Sequence, residues 1–284
     1  MNAVIVSKLG EMGWHPPTAD GLKHSMEVLF KHAPRVLSKP IKALVLPHAG
    51  YTYSGLTAAM GITQIDSKTR YSKILILGPS HYVPLKNKGH ITSARAIQTP
   101  LGEAPLDTES LAFLKKAPIF ESIDAIDQQE HCIQIEVPFF QTVLPGIPIL
   151  PIVLGSLDRA AAHGIAELLE PFLDDTTLLV ISSDFTHYGA SFGYVPFSHN
   201  IEENIRSFDA EVIAPLCDLN ESKVYNEFRR RERTICGESA LKVMVPLLRS
   251  KWPSLEGTCI DYRMSGQLNS DWSFSVSYAA LTWT

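Results

Sequence analysis

No apolar run in this sequence approaches the ~20 residues that a bilayer-crossing helix needs. The N-terminus, MNAVIVSKLGEMGW, lacks a charged leading region and has only a short apolar stretch, so it does not read as a secretory signal. Cysteine is scarce: Cys132, Cys217, Cys236 and Cys259 form no CxxC pair and no regular spacing, which excludes a disulfide framework or a zinc knuckle. Excess positive charge is missing too. Lys plus Arg is 25 against 30 for Asp plus Glu, a net charge of −5, whereas a nucleic-acid binder would carry a basic footprint. There is no GxGxxG and no P-loop, so dinucleotide and NTP binding lack support. A GxSxG elbow is absent as well, which weakens a serine-hydrolase reading. Repeats, low-complexity tracts and Gly/Ser linkers are not found. These absences point to a cytoplasmic protein with reduced thiols, no membrane span and no nucleic-acid partner, folded as one domain over residues 1–284.

What is present is an ordinary globular composition, 45 % hydrophobic and 19 % charged. At this mass a folded monomer should expose roughly 12,000 Å². Short runs rich in Val, Ile and Leu occur at residues 41–46, 73–77, 147–154, 177–182 and 273–281. Their length and their Gly, Pro and Ser flanks suit strands buried on both faces. Helical spacing falls between them, at residues 20–31, 54–62, 108–116, 130–143, 160–173, 201–214 and 238–248. Such alternation predicts an α/β fold: a central, largely parallel or mixed sheet with helices on both faces. Residues 259–264 and 273–281 read as an antiparallel addition at its edge.

In such sheets ligands sit beyond the carboxyl ends of the strands. The strand at 41–46 runs into His48, that at 73–77 into His81, and that at 177–182 into Asp184 and His187. A lone histidine there is usually structural. Three strands sending donors to one edge suit a metal or a reacting substrate, which needs several N, O or S atoms converging. Asp127-Gln128-Gln129-Glu130 has the form of a capping box and predicts His131 in the first turn of a helix, where the helix end keeps the ring neutral. Ser54 reads as an N-cap. Cys236 precedes the helix at 238–248, a place that lowers a thiol pKa, and Arg229, Arg230, Arg231 and Arg233 stand just upstream. His15, His24, His32, His90, His163 and His199 are assigned no role.

The donor set is therefore His48, His81, His131, Asp184, His187 and Cys236. It fits an open metal site for iron, zinc or copper. It also fits a Cys-His-Asp hydrolase.

Six segments in order carry a resemblance. They are Pro-His-Ala-Gly-Tyr-Thr-Tyr-Ser-Gly (47–55), Leu-Gly-Pro-Ser-His (77–81), Glu-His-Cys-Ile-Gln (130–134), Ser-Ser-Asp-Phe-Thr-His-Tyr-Gly (182–189), Thr-Ile-Cys-Gly (234–237) and Ser-Val-Ser-Tyr-Ala-Ala (275–280). Together they closely resemble the Memo family, named for a mediator of cell motility. The resemblance implies a single α/β domain similar to the class III extradiol (LigB-type) dioxygenases, which hold Fe(II) with two histidines and a glutamate. It implies metal ligands His48, His81 and Cys236, with iron the expected ion and copper or zinc the alternatives. His131, Asp184 and His187 would line the pocket as catalytic groups, His131 or His187 as acid/base and Asp184 as orienter. Many members read Glu-His-Ser-Leu/Ile-Glu, where this chain has Gln134, with Glu136 two residues on. The function implied is metal-dependent, oxidoreductase-like chemistry on a small-molecule or peptide ligand. The alternative is a non-catalytic peptide- or protein-binding module on a vestigial dioxygenase pocket, to which the aromatic residues Tyr51, Tyr53, Tyr82 and Tyr188 would contribute a rim.

Overall fold

The computed structural model describes residues 3–66, 68–230 and 233–284. In chain order the strands are β1 (Val4–Val6), β2 (Ala43–Leu46), β3 (Lys73–Pro79), β4 (Gly89–His90), β5 (Ala96–Thr99), β6 (Gly102–Pro105), β7 (Phe120–Glu121), β8 (Ile149–Leu154), β9 (Thr177–Ser182), β10 (His187–Gly189), β11 (Gly257–Met264) and β12 (Phe274–Trp283). The helices are α1 (Ala19–Lys31), α2 (Tyr51–Ile62), α3 (Thr108–Leu114), α4 (Asp124–Gln129), α5 (Val137–Val143), α6 (Arg159–Leu169), α7 (Ile201–Cys217), α8 (Glu221–Arg229), α9 (Glu238–Lys251) and α10 (Ser265–Asn269).

The main sheet runs β10-β12-β2-β9-β3-β8-β4-β7, with β11 also on β12. Its centre, β2-β9-β3-β8, is parallel throughout. Every residue of β2, β8 and β9 is buried, as strands covered on both faces require. One helical group, α6 with α9, packs on β3 and β9, and a second, α1, α2 and α5, gathers around α2 on β2 and β12. The mixed α/β architecture expected from the runs is thus the one observed. The accessible surface is 12368 Å².

The C-terminal strands pair antiparallel with one another, and β12 joins β2. Three local expectations are corrected. Residues 130–143 are not one helix: α4 ends at Gln129, Glu130 is extended (φ −76°, ψ 125°), and a turn leads into α5. The Asp127 side chain is therefore no cap; it lies inside α4 and bonds His90 and Thr92. Ser54 is no cap either, because α2 begins at Tyr51, and its hydroxyl donates to the Ala49 carbonyl.

Candidate metal centre

Three neighbouring parallel strands build the floor. His48 lies two residues beyond β2, His81 two beyond β3, and Asp184 two beyond β9, which sits between them. An equal offset on strands in parallel register brings the three side chains to one edge.

Each of these two histidines has one ring nitrogen tied back. His48 Nδ1 is 2.7 Å from Ser182 Oγ. The Ser182 proton goes to the Cys132 carbonyl, so toward His48 the hydroxyl accepts. His48 is then protonated on Nδ1, and Nε2 keeps its lone pair. His81 Nδ1 donates to Glu130 Oε1 at 2.8 Å, which likewise frees Nε2. The Glu130 carboxylate also takes the backbone N–H groups of His81, His131 and Cys132. Burial works against its ionisation, but the His81 ring and the backbone donors outweigh burial and hold this carboxyl below the usual range. Glu130 thus locks His81 and His131 side by side, their rings stacked 4.5 Å apart. A carboxylate behind a histidine is the arrangement that orients metal ligands. Sequence reasoning makes Glu130 part of a cap and misses this role; its adjacency to His131 is the signal available.

His131 is not in a helix. It stands just before the turn that leads into α5, packed under the Trp14 ring at 4.5 Å. Its pKa is pushed down to about 4 by burial and by the neighbouring His81, with Glu130 opposing. The ring is neutral, as expected, but the cause is burial and not a helix end. His48 is held well below its ordinary value by burial and then by the other rings. Both rings are neutral at pH 7, the form that binds metal.

Donor atoms of His48, His81 and His131 all lie within 4.8 Å of one another. Cys236 Sγ is 3.1 Å from His48 Nε2 and accepts the Asp184 N–H at 3.1 Å. It precedes α9 as expected, and Gly237 makes this possible: a Cβ there would meet Ser183 Cβ at 2.3 Å. The thiol pKa is nevertheless raised, not lowered, because burial and the nearby Asp184 carboxyl disfavour thiolate. Two of the upstream arginines do not help: Arg230 and Arg233 are engaged by Glu211 and Glu227, and Arg231 lies outside the described residues.

Asp184 Oδ1 accepts the His48 N–H at 2.9 Å, and burial raises its pKa. His187 Nδ1 faces the carbonyls of Phe185 and Thr234. Asp184 and His187 line, with the three-histidine group, a cavity of about 450 Å³ whose other wall includes Trp14, Phe192 and Phe274. Of the expected aromatic rim, Tyr53 and Tyr82 are exposed, but Tyr51 and Tyr188 are buried and donate to the Ile135 and Phe197 carbonyls. Gln134 turns away, donating to the Asp127 carbonyl, so the acid on the site's side of this turn is Glu136. His90, assigned no role from the sequence, is buried and hydrogen-bonded to Asp127, a structural pair.

A family model for Memo-like proteins matches residues 13–282. The chain belongs to the Memo family. Among relatives, mouse Protein MEMO1 is 29 % identical over 98 % of this chain and 97 % of its own length. The Danio rerio protein of the same name is 30 % identical over the same shares. A Caenorhabditis elegans protein memo-1 homolog is 31 % identical over 84 % of this chain and 71 % of its own. The crystal structure of uncharacterized protein JW3007 from Escherichia coli K12 overlays 84 % of this Memo-family chain and 99 % of its own at 15 % identity. Its TM-score of 0.43 is too low to bear on fold or function. No helix among the described residues is long and apolar enough to cross a membrane.

Proposed function

We propose that this Memo-family protein is a metal-dependent, oxidoreductase-like protein whose His48, His81 and His131 hold a metal ion, iron first among the candidates, with Cys236 as a further donor once its proton has left. The observation that supports this is the convergence of three imidazoles, two of them fixed from behind by Ser182 and Glu130. Such a donor set suits iron, copper or zinc. When bound, such an ion would supply electron exchange or Lewis-acid polarisation. The chain's own groups supply the rest. Trp14, Phe192 and Phe274 give the cavity an apolar wall, and Asp184 and His187 on its lining are the proton-handling groups.

Anaerobic purification followed by loading with Fe(II), Cu(I) or Zn(II) and elemental analysis tests this reading. One ion per chain is expected. His48→Ala and His81→Ala should each lower affinity by about 100-fold or more, since losing even an outer-sphere partner costs 10–100-fold. A ratio near zero with all three ions sinks the reading. Peptide binding in the pocket that survives both substitutions would favour the binding-module alternative.

A further inference from the structure

Glu136 is a buried acid that the site as described leaves unused. It stands at the start of α5, and only 1 % of its surface is exposed. Neither carboxyl oxygen has a hydrogen-bond partner of good geometry. The Ser182 hydroxyl is close enough to act on it, but its proton is directed to the Cys132 carbonyl at 2.7 Å. The other groups that face it electrostatically are the Tyr51 phenol, the Asp184 carboxyl and the Cys132 thiol. None of these is cationic. A carboxylate placed here gives up its water and receives no donor in exchange, so the neutral acid is the form that burial favours. Burial accordingly lifts this carboxyl well above the usual range. Ser182 is also the group on which His48 Nδ1 rests. A short line therefore joins the orphaned acid to a ligand of the proposed centre.

We propose that Glu136 is a proton-storing acid behind the metal centre, neutral in the metal-free protein and discharged when a divalent cation binds His48, His81 and His131. This rests on the metal-binding reading of the site. The balance is simple: the carboxylic O–H bond breaks, the proton leaves to solvent, the carboxylate stays as counter-charge, and no electrons move. Ser182 then turns its proton from the Cys132 carbonyl to Glu136 while still accepting from His48. The orphaned carboxyl gains its donor, and the Nδ1 side of His48 becomes more strongly held, which makes it a better ligand. Glu136 is a positioning residue here, because it acts through Ser182 and touches no ligand.

Zn(II) is the probe, and two readouts separate the outcomes. In the infrared, metal-free wild type should show a protonated-carboxyl C=O stretch that zinc loading removes. Glu136→Gln should lack this band in both states, and Asp184→Asn and Asp209→Asn, which remove the other buried carboxyls held above their usual range, should retain it. In calorimetry at pH 7, repeated in buffers of different ionisation enthalpy, wild type should release one more proton per zinc than Glu136→Gln. The variant should bind zinc about tenfold more weakly. A band that persists after loading, a band that survives in Glu136→Gln, or equal proton counts overturns the proposal. No zinc uptake by wild type overturns the metal reading and the coupling with it, while the metal-free band still reports whether Glu136 is neutral. Should Glu136→Gln fail to fold, band loss on loading in wild type and in Asp184→Asn decides.

Discussion

Truncating Asp209 to alanine is expected to lower the free energy of unfolding by roughly 3–5 kcal/mol. Asp209 lies on α7 and is fully buried. Its carboxyl accepts the hydroxyls of Thr186, Tyr262 and Ser277, which belong to the segment after β9, to β11 and to β12. Alanine would leave two buried donors, Thr186 and Ser277, and the half-buried Tyr262 hydroxyl without their acceptor, each buried one costing about 1–3 kcal/mol, partly offset by relaxation. An asparagine side chain would keep one acceptor oxygen, so Asp209→Asn should lose about half as much. The damage should reach the pocket, because Thr186 sits between Phe185 and His187. Urea unfolding at pH 7 measures it: a loss under about 1 kcal/mol for Asp209→Ala would show that this junction carries little of the fold.

The second large effect is on acid sensitivity. Relative to His131→Asn, the metal-free wild-type protein should lose about 3 kcal/mol of stability between pH 7 and pH 4. The folded pKa of His131, about 4, lies below the unfolded value of 6.5. A base depressed in this way contributes stability that is fully present above 6.5 and is lost as pH falls through 4, because the unfolded chain takes the proton first. A difference of about 2.5 units at 1.36 kcal/mol per unit sets the size. His48, also held well below its ordinary value, acts in the same sense. Asp184, Asp209 and Glu136 are raised and act oppositely: their contribution is present at low pH and is lost as pH rises. The comparison with His131→Asn is therefore the test, not the raw wild-type slope. Parallel urea midpoints for the two proteins across this range would show that the ring is not kept neutral by the fold. Metal binding should weaken over the same interval, since protons compete for the same lone pairs.

The central strands were legible because burial on both faces leaves a continuous Val/Ile/Leu run, as in β2, β3, β8 and β9. The donors His48, His81 and Asp184 were legible for a related reason: the place where such a run stops is the place where the sheet opens. Short strands left no comparable trace. In β4 and β7, two residues each, pairing is decided by neighbours distant in sequence. The break at Glu130 was hidden because residues 130–143 keep a helical spacing of apolar groups, while Glu130 is drawn out of the helix by His81, forty-nine positions away. Cys236 shows the same limit in another form. Its place before α9 could be read, but its pKa depends on how deeply β9 and the Thr234–Gly237 segment enclose it, and Gly237 hides that closeness by having no side chain.

The three imidazoles come from stretches of chain tens of residues apart, and they meet only when β2, β9 and β3 lie in register with the Glu130 turn closed over them. Long loops must close before any two of them are neighbours, so a half-folded chain offers a cation no more than scattered single rings. An ion would thus be a late guest: it slows the escape from the native state and leaves the speed of reaching it unchanged.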